Sequence, residues 1–420
     1  MGQGNFTRGR HLTGAGSVLQ HGAGLFARLL AGSVDKLVDR IDAGMEVGSI
    51  EARLPDGSTR TVGGRNPGLH ARITIRDWRA IVRLVTGGSV GWYRAWEAGE
   101  WDSPDPVPIF ALFMANADGL GSLGRAKGPW RWASRFTHWL NRNTIKGARA
   151  NISAHYDLGN DFYGAWLDPT LCYSSALFAG TDQALEDAQQ AKVRALADRL
   201  QLSPGDDVLE IGCGWGFLAR TLANQHGANV TAISLSDEQL AHAREVNEAD
   251  ATAVDFRKQD YRDTHGTYDA IASVEMVEAL GREYWPTYMD CIARNLKPGG
   301  RAAIQYISMR DDLFEAYVKS ADFIQTFVFP GGLLIRTSEF RRLAEERGLE
   351  WRDQADFGLD YAETLKVWRE NFDRAAAKGM LPRGFDARFN RLWRFYLMYC
   401  EGGFRGGGID VHQVTLVKPA

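Results

Sequence analysis

Residues 207 to 216, Asp-Val-Leu-Glu-Ile-Gly-Cys-Gly-Trp-Gly, restrict this chain more than any other stretch. An apolar run from Val208 to Ile211 carries one acidic residue, Glu210, and breaks into alternating glycines before a helical pattern from Phe217 to Gln225. That order predicts a strand, a tight turn and a helix. Gly212, Gly214 and Gly216 leave no Cβ in the way, so a ligand can approach the backbone at the carboxyl edge of a parallel sheet. The dinucleotide fingerprint wants its third glycine where Phe217 stands, which removes the support for a nicotinamide or flavin site. Taken alone, the glycine-rich turn also fits any other nucleotide-binding fold.

The stretches that follow extend the same architecture. Asn229 to Ser234, Val254 to Lys258, Tyr268 to Val274 and Arg301 to Ile307 read as further strands, the last entered through Lys297-Pro298-Gly299-Gly300. Helical stretches separate them, and Asp410 to Lys418 alternates as a late strand, so a doubly wound α/β domain is expected over residues 151 to 420. Residues 310 to 345 and 360 to 405 exceed what such a fold needs and are rich in Phe, Tyr, Trp and Leu. They are expected to cap the cofactor edge with apolar walls suited to a lipid chain, the competing reading being that the rings fill the core.

Upstream, residues 1 to 24 read as a loose tail and 25 to 118 as a small α+β domain. Its strands are Met45 to Leu54 before the turn Pro55-Asp56-Gly57, Thr59 to Val62, and Ala71 to Ile75, followed by a helix over Trp78 to Val85. Trp92 and Trp96, four apart, share a helix face and are expected in the core. No catalytic constellation is evident there.

Composition matters mainly through charge. The chain has 420 residues, 45% hydrophobic and 24% charged, with a net charge of -3, which gives no global attraction to nucleic acid. Between Asp118 and Asp157, however, there is no acidic residue, while Arg125, Lys127, Arg131, Arg135, Arg142, Lys146 and Arg149 are basic. Residues 119 to 150 are therefore expected to form a basic aromatic linker. Within it Trp132, Phe136, Trp139 and Leu140 fall on one helical face, so either a docked linker helix or a helix lying in a membrane interface is expected. Cys172, Cys213, Cys291 and Cys400 lie far apart, without metal-ligand spacing or a disulfide framework. No run reaches membrane-span length and no signal peptide is evident, so a cytoplasmic, peripherally membrane-associated protein is expected.

Several stretches together resemble one family. They include His155-Tyr156-Asp157-Leu158-Gly159-Asn160-Asp161-Phe162-Tyr163, Tyr173-Ser174-Ser175-Ala176, Glu210 to Gly216 and Gln259-Asp260-Tyr261-Arg262-Asp263. Further on come Ser273-Val274-Glu275-Met276-Val277-Glu278, Phe329-Pro330-Gly331-Gly332, Phe357-Gly358-x-Asp360-Tyr361 and Cys400-Glu401-Gly402-Gly403-Phe404. These look like the cyclopropane fatty-acyl-phospholipid synthases and mycolic acid methyltransferases, over essentially all of residues 151 to 420, and more weakly in the N-terminal domain. The resemblance implies a Rossmann-like class I methyltransferase that uses S-adenosylmethionine on a cis double bond of an unsaturated phospholipid acyl chain. Bicarbonate, bound by a few side chains and backbone amides, serves the family as base.

Carried over position by position, Glu278 matches the active-site glutamate, Tyr361 the bicarbonate-linked tyrosine and Ile307 a residue whose backbone contacts the ion. Two positions depart: Ser175 stands for the usual cysteine and Gln305 for the usual histidine. Both can donate hydrogen bonds to an anion, but neither is a base near neutral pH. For the cofactor, Tyr173 and Ser174 match contacts to the methionine end. Gly212, Gly214 and Gly216 should bring amides close, with Glu210 orienting the turn. Ser234 and Gln239 are expected on the ribose, and Asp260 and Tyr261 near the adenine. No metal is expected. The partners expected are unsaturated membrane phospholipids and the membrane surface; a homodimer is left open. Three alternatives remain: C-methylation without ring closure, giving a methyl-branched or furan fatty acid precursor; methylation of a soluble small molecule; and a non-catalytic lipid-binding protein.

Overall fold

A computed structural model describes residues 8–14, 31–121, 158–180, 182–249, 254–319 and 322–420. The interfacial-helix reading of Arg131 to Arg142 and the domain start at Asn151 fall outside those residues. The described residues fall into two compact units, one drawn from 1–141, 312–330 and 383–409, the other from 142–311, 331–382 and 410–420.

The first unit holds a four-stranded sheet in the order β2-β1-β3-β4, formed by Val47–Arg53 (β1), Thr59–Gly63 (β2), Asn66–Ile75 (β3) and Trp101–Asp102 (β4). Ile50 and Ala52 alternate inward along β1 while Glu51 and Arg53 point out, the period-2 pattern of a half-buried strand. The β1–β2 hairpin closes where Asp56 accepts from the Ser58 amide at 2.9 Å. The helix Arg79–Glu97 buries Trp92 and Trp96, as their spacing suggested, and Trp92 stacks on Trp101 at 4.4 Å.

Two departures from sequence order appear in this unit. Residues 312–330 and 383–409, expected within the second domain as walls over the cofactor edge, instead pack with the N-terminal residues. The cause is aromatic: Phe323, Phe327 and Phe395 surround the Tyr93 ring at centroid distances of 5.0, 4.8 and 5.1 Å. Gly402 lets the helix Ala387–Arg405 lie against Val107–Ala115, since a Cβ there would sit 2.4 Å from that of Phe110. The supposed tail also contains structure. Arg10–Gly14 is helical, Leu12 is buried, and Gly9 meets the Phe389 ring so closely that a Cβ there would lie 2.3 Å from it.

The second unit is built on a seven-stranded sheet in the order β10-β11-β9-β8-β5-β6-β7. Its strands are Asp207–Ile211 (β5), Asn229–Ser234 (β6), Val254–Lys258 (β7), Tyr268–Val274 (β8), Leu296–Met309 (β9), Glu350–Asp356 (β10) and Ile409–Val417 (β11). β5 to β9 pair in parallel and β10 antiparallel to β11. β10 escapes a sequence reading because its residues are mostly exposed and polar, without apolar alternation. From β5 the chain winds outward to β6 and β7, then returns to β8 on the other side. That reversal leaves a crevice beyond the carboxyl ends of β5 and β8, where a doubly wound sheet binds its ligand.

Candidate active site

Both halves of the site hang from that crevice. After β5 the chain turns through Gly212, Gly214 and Gly216, all at positive φ, into the helix Phe217–His226. The three glycines serve different ends. A Cβ on Gly214 would meet nothing within 4 Å, so its space belongs to the cleft. One on Gly216 would lie 2.7 Å from the Phe256 ring and 3.1 Å from the Ala243 Cβ, so Gly216 permits close helix–sheet packing. One on Gly212 would approach Met276 Sδ at 3.3 Å.

Tyr173, Ser174, Glu210, Gly212, Gly214 and Ser234 line one continuous cleft, joined by Gln239, Tyr261 and Glu275. Asp260 stands behind this lining. Its buried carboxylate accepts the Arg262 amide at 3.0 Å and pairs with the Arg262 guanidinium at 2.6 Å, closing a 3-10 turn that presents Tyr261. Ser234 Oγ lies 3.4 Å from Gln239 Oε1 at the end of β6, where ribose hydroxyls would be met.

Two buried polar atoms of the cleft, Glu210 Oε2 and Tyr261 Oη, have no hydrogen-bond partner among the described residues. Together with the open space at Gly214 they fit a ligand that is polar at several points, as S-adenosylmethionine is. Burial pushes the Glu210 carboxyl up to about 8, opposed by the Lys192 charge and the Ala219 amide. Lys192 was not anticipated. It lies on the helix Leu185–Leu200, almost wholly buried, and donates to Ser174 Oγ at 2.7 Å. The available signal was a lysine on a face otherwise made of Ala188, Val193 and Leu196.

After β8 comes Glu275, a non-glycine residue at φ 49°. Its amide donates to Gln305 O at 2.8 Å, and its carboxylate collects three donors. Oε1 accepts from the Ser175 amide at 2.9 Å and from Gln305 Nε2 at 2.9 Å, and Oε2 accepts from the Tyr361 hydroxyl at 2.7 Å. Gln305 is held in that orientation because its Oε1 accepts from Gln413 Nε2 at 3.1 Å. The Ser175 hydroxyl turns away to Ala176 O at 2.9 Å, so Ser175 contributes its backbone, not its side chain.

The expected anion-binding set is thus brought together, but around Glu275. The Ile307 amide, expected to contact a bound ion, instead donates to Glu278 Oε1. Glu278 Oε2 has no partner among the described residues. Burial, and next the charge of Glu275, push the Glu278 carboxyl up to about 8. A free bicarbonate does not fit here: its donors are spent, and it would add a negative charge beside the Glu275 carboxylate. Glu275 lay within the Ser273-to-Glu278 stretch but was not expected in the site; a pair of glutamates three apart after an apolar strand is the signal that could have found it.

Aromatic rings extend from Tyr361, the donor to Glu275. Tyr361 meets Trp368 edge-on at 6.1 Å, and Trp368 in turn lies 5.3 Å from Tyr173 and 5.7 Å from Trp166. Such ring faces favour a nearby cation.

Residues 143–414 match the family model described as mycolic acid cyclopropane synthetase. The chain is 38% identical over 350 residues to the cyclopropane-fatty-acyl-phospholipid synthase of Escherichia coli, covering 83% of this chain and 88% of that one. It is 36% identical over 359 residues to the tuberculostearic acid methyltransferase UfaA1 of Mycobacterium tuberculosis, covering 80% of each. Among solved structures, the mycolic acid cyclopropane synthase CmaA1 complexed with SAH and CTAB aligns with a TM-score of 0.60 at 28% identity, over 64% of this chain and 98% of that one. With a β8–β5 crevice built for S-adenosylmethionine and a match that runs through both units, the chain belongs to the cyclopropane synthase family of S-adenosylmethionine-dependent methyltransferases.

Proposed function

We propose that this enzyme adds a methylene group, taken from S-adenosylmethionine, across a cis double bond in an acyl chain of a membrane phospholipid, giving a cyclopropane. The observation that carries this reading is the reach of the match: the E. coli phospholipid enzyme resembles 350 residues of this chain, whereas CmaA1 covers only 64% of it. The N-terminal unit is therefore shared with a relative named for a phospholipid.

An alkene is a weak nucleophile, and S-adenosylmethionine supplies a methyl group made electrophilic by its sulfonium. The chain's own residues do the rest. The glycine turn lets the donor approach the backbone, and Glu210, Ser234, Gln239 and Tyr261 hold its polar groups. Methyl transfer leaves positive charge on the neighbouring carbon, which the Glu278 carboxylate and the Trp368–Tyr361 rings stabilise in a dry setting. Two unit charges about 4 Å apart gain about 4 kcal/mol at an effective dielectric near 20, roughly a thousandfold in rate.

None of the described helices is long and apolar enough to cross a membrane. The enzyme reaches its substrate as a peripheral cytoplasmic protein, with Arg131, Arg135 and Arg142 drawn to anionic headgroups. Replacing all three by Glu is expected to weaken binding to phosphatidylglycerol vesicles at low salt, and equal binding refutes that role.

A second reading, a methyl branch without ring closure, is favoured by the 36% identity to the tuberculostearic acid methyltransferase. Mass spectrometry of lipids from an expressing host decides between the functions. One added CH₂ on unsaturated chains is expected, and ozonolysis separates the products. A chain that resists cleavage carries a ring; one cleaved beside a methyl branch overturns cyclopropanation in favour of the second reading.

A further inference from the structure

We infer that the Glu275 carboxylate occupies the place of the family's bicarbonate ion, so that this enzyme carries its base within its own chain and turns over without dissolved bicarbonate. The inference rests on the proposed methylene transfer. It is carried by the coincidence of donors: Ser175, Gln305 and Tyr361 were each expected at an ion, and each instead points a hydrogen at one carboxylate.

Geometry supports a function beyond anchoring. Glu275 faces the cleft that receives the methyl donor. Its backbone sits at φ 49°, a region that side-chain-bearing residues seldom adopt. The fold sustains this strain next to a second, half-buried carboxyl, Glu278, although two ionised acids so placed repel each other. An ionised carboxylate has about four acceptor positions, and three are used. Burial raises the Glu275 pKa, which strengthens it as a base, while the Ser175 amide, the Tyr361 hydroxyl and Gln305 pull it back.

The chemistry balances without a further reactant. The alkene π electrons form a bond to the sulfonium methyl carbon, and the methyl–sulfur bond breaks with its electrons on sulfur, leaving S-adenosylhomocysteine and a carbocation. Glu275 then takes a proton from the new methyl group, and the electrons of that C–H bond form the second C–C bond, closing the ring and quenching the cation. The proton passes from Glu275 to solvent before the next turnover. The sum is one CH₂ added to the chain and one proton released.

The test compares wild type, Glu275→Gln and Glu275→Gly with S-adenosylmethionine and vesicles of 1-palmitoyl-2-oleoyl-phosphatidylglycerol, in buffer stripped of carbon dioxide and in buffer with added bicarbonate. Wild type is expected to turn over equally in both. Glu275→Gln keeps the shape without the base and is expected to lose at least ~100-fold in either buffer. Glu275→Gly suits the positive φ and frees the three donors, so its rate is expected to be low in stripped buffer and to rise to saturation with bicarbonate. A wild-type rate that collapses on stripping, or a Glu275→Gln variant near the wild-type rate, overturns the inference. Carbon-13 bicarbonate binding followed by NMR reads the same point without turnover: Glu275→Gly should bind the ion and wild type should not, and wild-type binding overturns the inference. If wild type modifies no unsaturated phospholipid in either buffer, the proposed function fails, and the NMR result still decides the role of Glu275.

Discussion

The Tyr361 hydroxyl donates to Glu275 Oε2 at 2.7 Å, joining the helix Gly358–Ala377 to the end of β8 across 86 residues of sequence. Because this hydrogen bond favours the ionised carboxylate, Tyr361→Phe should raise the Glu275 pKa further. A hydrogen bond to a charged group contributes about 1.5–3 kcal/mol, so turnover at neutral pH is expected to fall roughly 10- to 100-fold. The kcat profile against pH is the discriminating readout. Its acid limb should move to higher pH, with the rate recovering there; an unshifted limb assigns Tyr361 to packing alone.

Glu278→Gln keeps the shape of the side chain and removes the group whose ionised form, a minority near neutral pH because burial pushes the carboxyl up to about 8, would stabilise the cation. Turnover should drop at least ~100-fold with S-adenosylmethionine affinity retained. Stability should move the other way. With the Glu278 carboxyl pushed up to about 8, the folded protein holds a proton that the unfolded chain releases at ordinary carboxylate pH. Wild-type stability therefore falls as pH rises through that window and levels off above about 8. The melting temperature of the variant should gain on wild type from about pH 5 to about pH 8, and parallel melting curves would contradict the assignment.

Gly214 and Gly216 separate binding from folding. Gly214→Val places a branched side chain in the open space of the cleft, strained at φ 52° but without a clash, and should abolish S-adenosylmethionine binding by calorimetry while the fold is kept at a smaller cost in stability than a clash would impose. Gly216→Ala drives a methyl group into Phe256 and Ala243, and both positions have positive φ. It should cost about 1–3 kcal/mol of stability, read by denaturant unfolding. Equal loss of stability in both would remove the distinction.

Cofactor affinity should depend on pH through Glu210, pushed up to about 8 by burial. A cationic ligand favours the ionised carboxylate, so below about 8 its binding releases a proton, and affinity rises with pH until it levels off. Calorimetry in buffers of different ionisation enthalpy measures that proton. S-adenosylhomocysteine, with no charge on sulfur, should release less. If Glu210→Gln leaves the affinity profile unchanged, the proton comes from elsewhere.

By itself the sequence determined what depends on neighbours along the chain. A strand needs a short apolar run and a turn needs glycine, so β5 to β9, β11 and the glycine turn were legible, as were Trp92 and Trp96 in the core. The motifs likewise picked out Tyr173, Ser174, Glu210, Gly212, Gly214, Ser234, Gln239 and Tyr261, which line one cleft. What only the tertiary structure decided depends on atoms brought together from distant segments. Residues 312–330 and 383–409 join the first unit because their rings find Tyr93, a partner that no local pattern names. Gly216 and Asp260 turn out to serve packing and turn closure, and Lys192 enters the cleft from a helix with no motif. Above all, Glu275 reads in the sequence as one acid beside another. Only when the Ser175 loop, β9 and the Tyr361 helix converge on it do their donors leave no place for a free ion, because a hydrogen already given to one carboxylate cannot hold a second anion.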